Sequence, residues 1–228
     1  MKKAVQFGAG NIGRGFLGQL FFESGYETTF VDVVEPLVAG LNERHSYPLR
    51  ILDDVSYTMT IENAKAIHAS NEEAVAQTLA EADIAATAVG VPVLPKIAHL
   101  IAAGIERRFS ARGAAPLDII VCENLLDAGP YLREQVRSHL SPAFHAALDE
   151  NVGFVEASIG RMVPVMTDAQ KREDPLLVCV EAYCHLPVDK AGFKGPLPEL
   201  KNLQPRDHFG GYVERKLFVH NAGHAVMA

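Results

Sequence analysis

Three glycines, one carboxylate and a lysine–asparagine–histidine trio are the residues of this sequence whose types and spacing can do chemistry. Gly8-Ala9-Gly10-Asn11-Ile12-Gly13 follows an apolar run, Ala4 to Phe7, and opens a segment with Ile12, Phe16, Leu20 and Phe21 at mostly helical spacing. In that context Gly8 permits a tight turn, Gly10 lets backbone approach a pyrophosphate, and Gly13 lets the helix pack closely on the strand. The helix start adds free N–H groups and the positive end of its dipole, and Arg14 follows as a second candidate for a phosphate. Asp32 ends the next β-branched run, TTFVDV, about 20 residues after Gly13, where an acid binds an adenosine ribose 2′-hydroxyl. A carboxylate there repels a 2′-phosphate, so NAD is the expected cofactor rather than NADP. Val33 beside it and Gly90 at the end of a later apolar run complete the expected cofactor site.

The trio is Lys216, Asn221 and His224, in KLFVHNAGH. At ~100° per residue, with Lys216 at zero, Asn221 falls near ~140° and His224 near ~80°, on one side of a helix. Phe218, Val219, Ala222, Ala225 and Val226 take the opposite arc, so the polar side should face a cleft while the apolar side packs. A lysine serves as general base when desolvation or a nearby positive charge lowers its pKa, and an oxidised nicotinamide carries such a charge. Asn221 can donate to a developing alkoxide and His224 can orient a substrate. The same spacing also suits an amphipathic helix with a solvated face, and position alone leaves both readings open.

The elements that must position these residues form an α/β pattern. Residues 10–24 and 28–33 continue the first strand as helix and strand, a right-handed βαβ unit. Residues 49–61 predict a hairpin, inserted at the sheet edge or covering the site. Ser70 and Glu73 form a capping-box pattern ahead of a helix over 71–82. DIAATAVG (83–90) and DIIVC (118–122) are unbroken apolar runs, as parallel strands buried on both faces should be. Helices are expected over 96–112 and 131–140, and strands over 152–165 and 176–183. Residues 191–206 are rich in Gly, Pro and Lys and predict an extended connector, and 211–228 should be helical. The expected fold is a Rossmann-like, doubly wound, mostly parallel sheet. Residues 1–205 would form the NAD-binding domain with its inserted hairpin, and 206–228 the start of a helical second domain. The last helix has no stop signal and little beyond it to pack against, so the chain is expected to be truncated.

Composition narrows the function classes. The chain has 228 residues, 48% hydrophobic and 21% charged, which argues against disorder. A net charge of −7 without a basic run excludes phosphate-neutralising nucleic-acid binding. No apolar stretch reaches the ~20 residues of a membrane span. Cys122, Cys179 and Cys184 lie in apolar runs and cannot close a disulfide framework, which points to a cytoplasmic protein. The histidines show no H-x-x-x-H with a carboxylate, and Cys179 and Cys184 have poor ligand spacing, so no metal site is expected. G-x-S-x-G and G-x-x-x-x-G-K-[ST] are absent, which removes hydrolase and P-loop readings. Arg44-His45-Ser46-Tyr47 fits loop packing or a phosphate site.

GAGNIGRG, VDV, LNERHSY (41–47), CEN (122–124), GFVEASIGRMVP (153–164) and KLFVHNAGH together resemble the polyol-specific long-chain dehydrogenases, the mannitol dehydrogenase family. The resemblance covers nearly the whole chain. It implies metal-independent, reversible hydride transfer between NAD and C5 of a hexitol 1-phosphate, giving fructose 6-phosphate. It further implies Lys216 as general acid/base, Asn124 and Asn221 as the oxyanion site, and His224 holding a sugar-phosphate or polyol substrate. Monomer and dimer both stay open. The pattern departs once: the family's V-D-R-I-x-P reads Ile159-Gly160-Arg161-Met162-Val163-Pro164, so a glycine stands where the resemblance implies a substrate-pocket acid. That leaves a polyol or hexuronate dehydrogenase acting on an unphosphorylated substrate as an alternative, and a catalytically silent dinucleotide-binding module as another. Arg161 is a candidate for a substrate phosphate or for a structural ion pair.

Overall fold

Burial on both faces decides the first strand. In β1 (Lys2–Phe7), Val5 and Phe7 enter one apolar cluster while Ala4 enters another, so both faces are covered. The computed structural model describes residues 1–113, 115–164, 166–220 and 223. The remaining strands are β2 (Tyr26–Asp32), β3 (Ser46–Leu52), β4 (Tyr57–Glu62), β5 (Ala64–His68), β6 (Ile84–Thr87), β7 (Leu117–Val121), β8 (Val152–Glu156), β9 (Val178–Glu181), β10 (Leu186–Asp189) and β11 (Leu203–Arg206). The helices are α1 (Gly18–Glu23), α2 (Glu35–Arg44), α3 (Glu72–Glu81), α4 (Leu94–Arg112), α5 (Ala128–His139), α6 (His145–Asn151), α7 (Asp168–Glu173) and α8 (Gly210–Arg215).

Six strands form one sheet in the order β5-β2-β1-β6-β7-β8, every pair parallel. The order reverses between β1 and β6, and a crevice opens beyond their carboxyl ends at such a switch point. One face carries α3, α4 and α5 through Val75, Leu79, Leu94, Ile101, Leu132 and Val136. The other carries Phe16, Leu17, Leu20 and Phe21 against Ala4, Ala86 and Ile120. Each of these large side chains contributes roughly 1.5–3 kcal/mol by leaving water. This is the doubly wound arrangement expected from the alternating pattern, with a sheet that is wholly parallel.

The hairpin forms, as β3 and β4, but it does not extend the main sheet. β3 pairs in parallel with β9, Leu49 opposite Val178, and the three strands make a second sheet. Tyr47, Leu49, Ile51, Val178 and Val180 supply its buried face. The run over 152–165 keeps strand geometry only in β8; beyond it the bridge Ala157–Val188 is the remaining ladder contact before β9. The connector over 191–206 contains β11, which pairs in parallel with β10. Asp118 fixes the turn before it, accepting N–H bonds from Lys194 (2.8 Å) and Gly195 (3.2 Å). The cap of α3 sits one residue later than the Ser70–Glu73 pattern predicted: Asn71 accepts from Ala74 N–H, and Ser70 turns to His68 Nδ1. An Asn at N-cap serves as well as a Ser, so the stronger local geometry wins.

Candidate active site

The glycine turn closes the switch-point crevice from below. Gly8 has φ +91°, and a Cβ on it would stand 2.4 Å from the Ala88 carbonyl oxygen. A Cβ on Gly13 would stand 1.9 Å from the Gly8 carbonyl oxygen, so only glycine lets this helix sit on the turn. A Cβ on Gly10 would meet nothing within 4 Å. Gly10, Asn11 and Ile12 instead line an open cleft of about 680 Å³, with Gly90 across from them. The first N–H groups of a helix have no partner within it, so this wall suits an anionic ligand. The segment Gly13–Leu17 is wound as π-helix, with Gly18 N–H bonded to Gly13 C=O.

Asp32 stands at the end of β2. Its Oδ2 accepts from Ala9 N–H (2.6 Å) and its Oδ1 from Val33 and Val34 N–H (2.8 and 3.0 Å). A carboxylate has about four acceptor positions, so three backbone bonds fix it and leave one for a hydroxyl. Val33 is exposed beside it. Ala9 is buried, its N–H given to Asp32 and its C=O accepting from Arg14 Nε.

Arg14 corrects the sequence reading. Its guanidinium is buried under the loop, with Nε donating to Ala9 C=O (2.7 Å) and Nη1 to Leu176 C=O. It lies 5.6 Å from the Tyr47 ring, whose hydroxyl donates to Arg14 C=O. Neither a phosphate ligand nor a solvated surface residue, it ties the glycine turn to the second sheet. Arg161 forms no ion pair with a carboxylate among the described residues, and it lines the cleft of about 680 Å³. It is buried, with Nε donating to Glu181 C=O (2.8 Å) and Nη1 to Gly15 C=O (2.9 Å) and Gln19 Oε1 (2.6 Å), while Nη2 has no partner. Of the 44–47 stretch, Arg44 pairs with Asp174 and Tyr47 is core, which is the packing alternative.

The opposite wall comes from the end of β7, where Cys122, Glu123 and Asn124 line the cleft with Ile159, Gly160, Met162 and Lys216. Lys216 Nζ donates to Asn124 Oδ1 at 3.1 Å. Burial pushes the Lys216 ammonium below its usual 10.5, toward the neutral amine. Glu123 is buried and accepts from Val89 N–H (2.8 Å) and Gly90 N–H (2.9 Å), which holds Gly90 at the cleft. Burial raises its carboxyl above the ordinary range. The sequence reading passed over Glu123; its signal was an acid directly after a fully buried strand.

Lys216 and Gly160 also line a second cleft of about 470 Å³, with Ser158, Glu181, Tyr183, Tyr212 and Arg215. The two clefts therefore meet at the lysine. The helical wheel drawn for this segment does not apply as drawn, because Lys216–His220 is π-helix and its residues do not advance by 100°. Nor does the apolar side pack among the described residues: Phe218 is 68% and Val219 66% exposed. Asn221 and His224 lie outside the described residues, so the structure brings Lys216 to Asn124 and to the glycine turn's cleft. Among the described residues no cluster of three His, Cys, Asp or Glu side chains is placed to share a metal ion, and no helix is long and apolar enough to cross a membrane.

The model of the mannitol dehydrogenase Rossmann domain matches residues 2–202. The chain is 43% identical to mannitol-1-phosphate 5-dehydrogenase of Streptococcus mutans over all of its length and 59% of that protein. It is 41% identical to the enzyme of the same name from Enterococcus faecalis, over 99% of the chain and 57% of that protein. It thus spans somewhat under three-fifths of the length of these curated relatives. The solved ternary complex of Pseudomonas fluorescens mannitol 2-dehydrogenase with NAD and D-mannitol superposes with a TM-score of 0.79, at 15% identity, over 95% of this chain and 55% of that one. That likeness shows a shared fold.

Proposed function

The chain belongs to the mannitol dehydrogenase family, and on that premise we propose that it carries the cofactor site and catalytic lysine of an NAD-dependent mannitol-1-phosphate 5-dehydrogenase. The observation that carries the reading is Lys216, half-buried and hydrogen-bonded to Asn124, where a cleft edged by the glycine turn meets a second, hydroxyl-lined cleft. The nucleotide site is supported by Gly8 and Gly13, each with a steric reason, by Gly10 at the cleft wall, and by the remaining acceptor position on Asp32. Gly10, Asn11, Ile12 and Gly90 line it; Gly8, Ala9, Gly13 and Arg14 build the turn beneath it. NAD, when bound, takes up the hydride in oxidation and returns it in reduction.

In the oxidation direction the neutral Lys216 amine takes the proton of the C5 hydroxyl, and fructose 6-phosphate forms as the C5 hydride leaves. Asn124 Oδ1 aims the amine, and its amide N–H₂ is the end that donates to the developing alkoxide. In reduction the ammonium returns the proton to the carbonyl oxygen. Asn221 and His224 keep the roles the resemblance implies. The division at residue 205, with 206–228 starting a helical substrate domain, is supported by the family match ending at 202 and α8 starting at Gly210. The three free cysteines favour a reducing, cytoplasmic compartment.

The test is Lys216→Ala in the natural protein. A general base contributes roughly 10²–10⁴ in rate. The variant should lose that much turnover with fructose 6-phosphate and NADH while its NADH Kd stays put; turnover within a few-fold of wild type defeats the assignment.

A further inference from the structure

We propose that Arg215 anchors the phosphate group of the substrate and so sets the preference for a phosphorylated sugar over a free one. The inference rests on the function proposed above and names the specificity residue of that same site. Arg215 closes α8 immediately before Lys216, and both residues line the 470 Å³ cleft. Arg215 does not line the nucleotide cleft, whereas Lys216 lines both. A substrate whose C5 sits at the lysine therefore extends its far end along the Arg215 side. The phosphate lies four carbons from the reacting carbon, on that far end, and away from the wall suited to the dinucleotide's own phosphates.

The charge pattern supports the same end. Arg44, Arg50, Arg107, Arg133 and Arg137 each meet a carboxylate. Arg215 meets none among the described residues; its guanidinium rests 5.2 Å from the Tyr212 ring. Arg206 lies 5.5 Å from the same ring, also without an acid partner among the described residues, and its buried Nε has no hydrogen-bond partner. Two guanidinium groups on one ring, in a chain of net charge −7, form a local positive site. A guanidinium offers a planar pair of N–H donors matched to phosphate oxygens. The cleft's acid, Glu181, accepts from Met162 N–H (3.3 Å), and with Ser158 and Tyr183 it suits the hydroxyl-bearing carbons of the chain. Arg161, the sequence's own candidate for the phosphate, gives Nε and Nη1 to Glu181, Gly15 and Gln19, and it lines the nucleotide cleft rather than the cleft of Arg215.

The experiment compares the natural protein with its Arg215→Met and Arg215→Lys variants. The readouts are KM and kcat for fructose 6-phosphate, inhibition by inorganic phosphate against that substrate, and NADH Kd. A charged hydrogen bond of ordinary strength predicts that Arg215→Met raises KM and the phosphate inhibition constant roughly 10- to 100-fold, while kcat and NADH Kd move less than about threefold. Arg215→Lys, which keeps the charge and loses the fork, should fall between. If Arg215→Met is too unstable to bind NADH, Arg215→Lys decides, and a wild-type KM there overturns the anchor. An unmoved KM and inhibition constant in Arg215→Met, or a fall in kcat alone, also overturns it, with the proposed reaction still standing. A wild-type protein that does not reduce fructose 6-phosphate sinks the proposed function and the anchor with it.

Discussion

Two segments of this chain share an unusual winding and differ in everything that surrounds it. Gly13–Leu17 and Lys216–His220 are both π-helical. The first is wholly buried, with the Gly8 turn beneath it, the second sheet against Gly15 through Val178 and Val180, and Tyr47 donating to Arg14 C=O. The second exposes Phe218 and Val219, and Lys216 holds it to the body through Asn124. An irregular turn can thus be enforced by packing on every side or be left to a few contacts at one lysine. The first kind makes a rigid wall; the second presents a half-buried amine at the junction of two clefts.

Substitution by alanine breaks the comparison most sharply at the buried turn. Gly13→Ala forces a methyl against the Gly8 carbonyl, backbone on backbone, and should cost about 1–3 kcal/mol or more of stability. Thermal unfolding and NADH titration read the result; an unchanged midpoint and unchanged affinity would show that the turn is not locked. A pH profile tests the other segment next. Lys216 must be neutral to accept a proton, so oxidation falls as pH drops through its pKa. Burial lowers that pKa, so the descending limb belongs below 10.5. Reduction needs the ammonium and falls as pH rises through the same value. A limb at or above 10.5 in steady-state kcat/KM would remove burial as the tuning cause. The smallest effect is expected at Gly211 in α8, where a Cβ meets nothing within 4 Å. Gly211→Ala should raise stability by about 0.5–1 kcal/mol through lost chain entropy, the opposite sign from Gly13 in the same denaturation experiment.

The same contrast explains what was legible in the sequence. Gly8, Gly10, Gly13 and Asp32 were readable because each answers a local demand of one βαβ unit, and the parallel sheet followed from unbroken apolar runs in 83–90 and 118–122. The sheet partner of the hairpin was not: Leu49 meets Val178 across more than half the chain, and nothing near either residue encodes the pairing. Arg14 misled because a guanidinium beside a phosphate motif reads as a ligand until its carbonyl partner, Leu176, is brought beside it by the fold. The wheel for Lys216 assumed regular winding, which spacing cannot test. Lys216 itself lines both clefts, and the part of its surroundings that is described, Asn124, came from the family resemblance rather than from periodicity.

The cage around Arg161 has a mechanical consequence. One guanidinium ties the helix at Gly15 and Gln19 to the end of β9 at Glu181, and Arg161 itself lines the 680 Å³ cleft. Those parts are coupled like the legs of a trestle, so strain applied to one is carried by the others. Whatever motion admits and releases ligands therefore pivots outside this brace, and the floor of the crevice behaves as an anvil rather than a jaw.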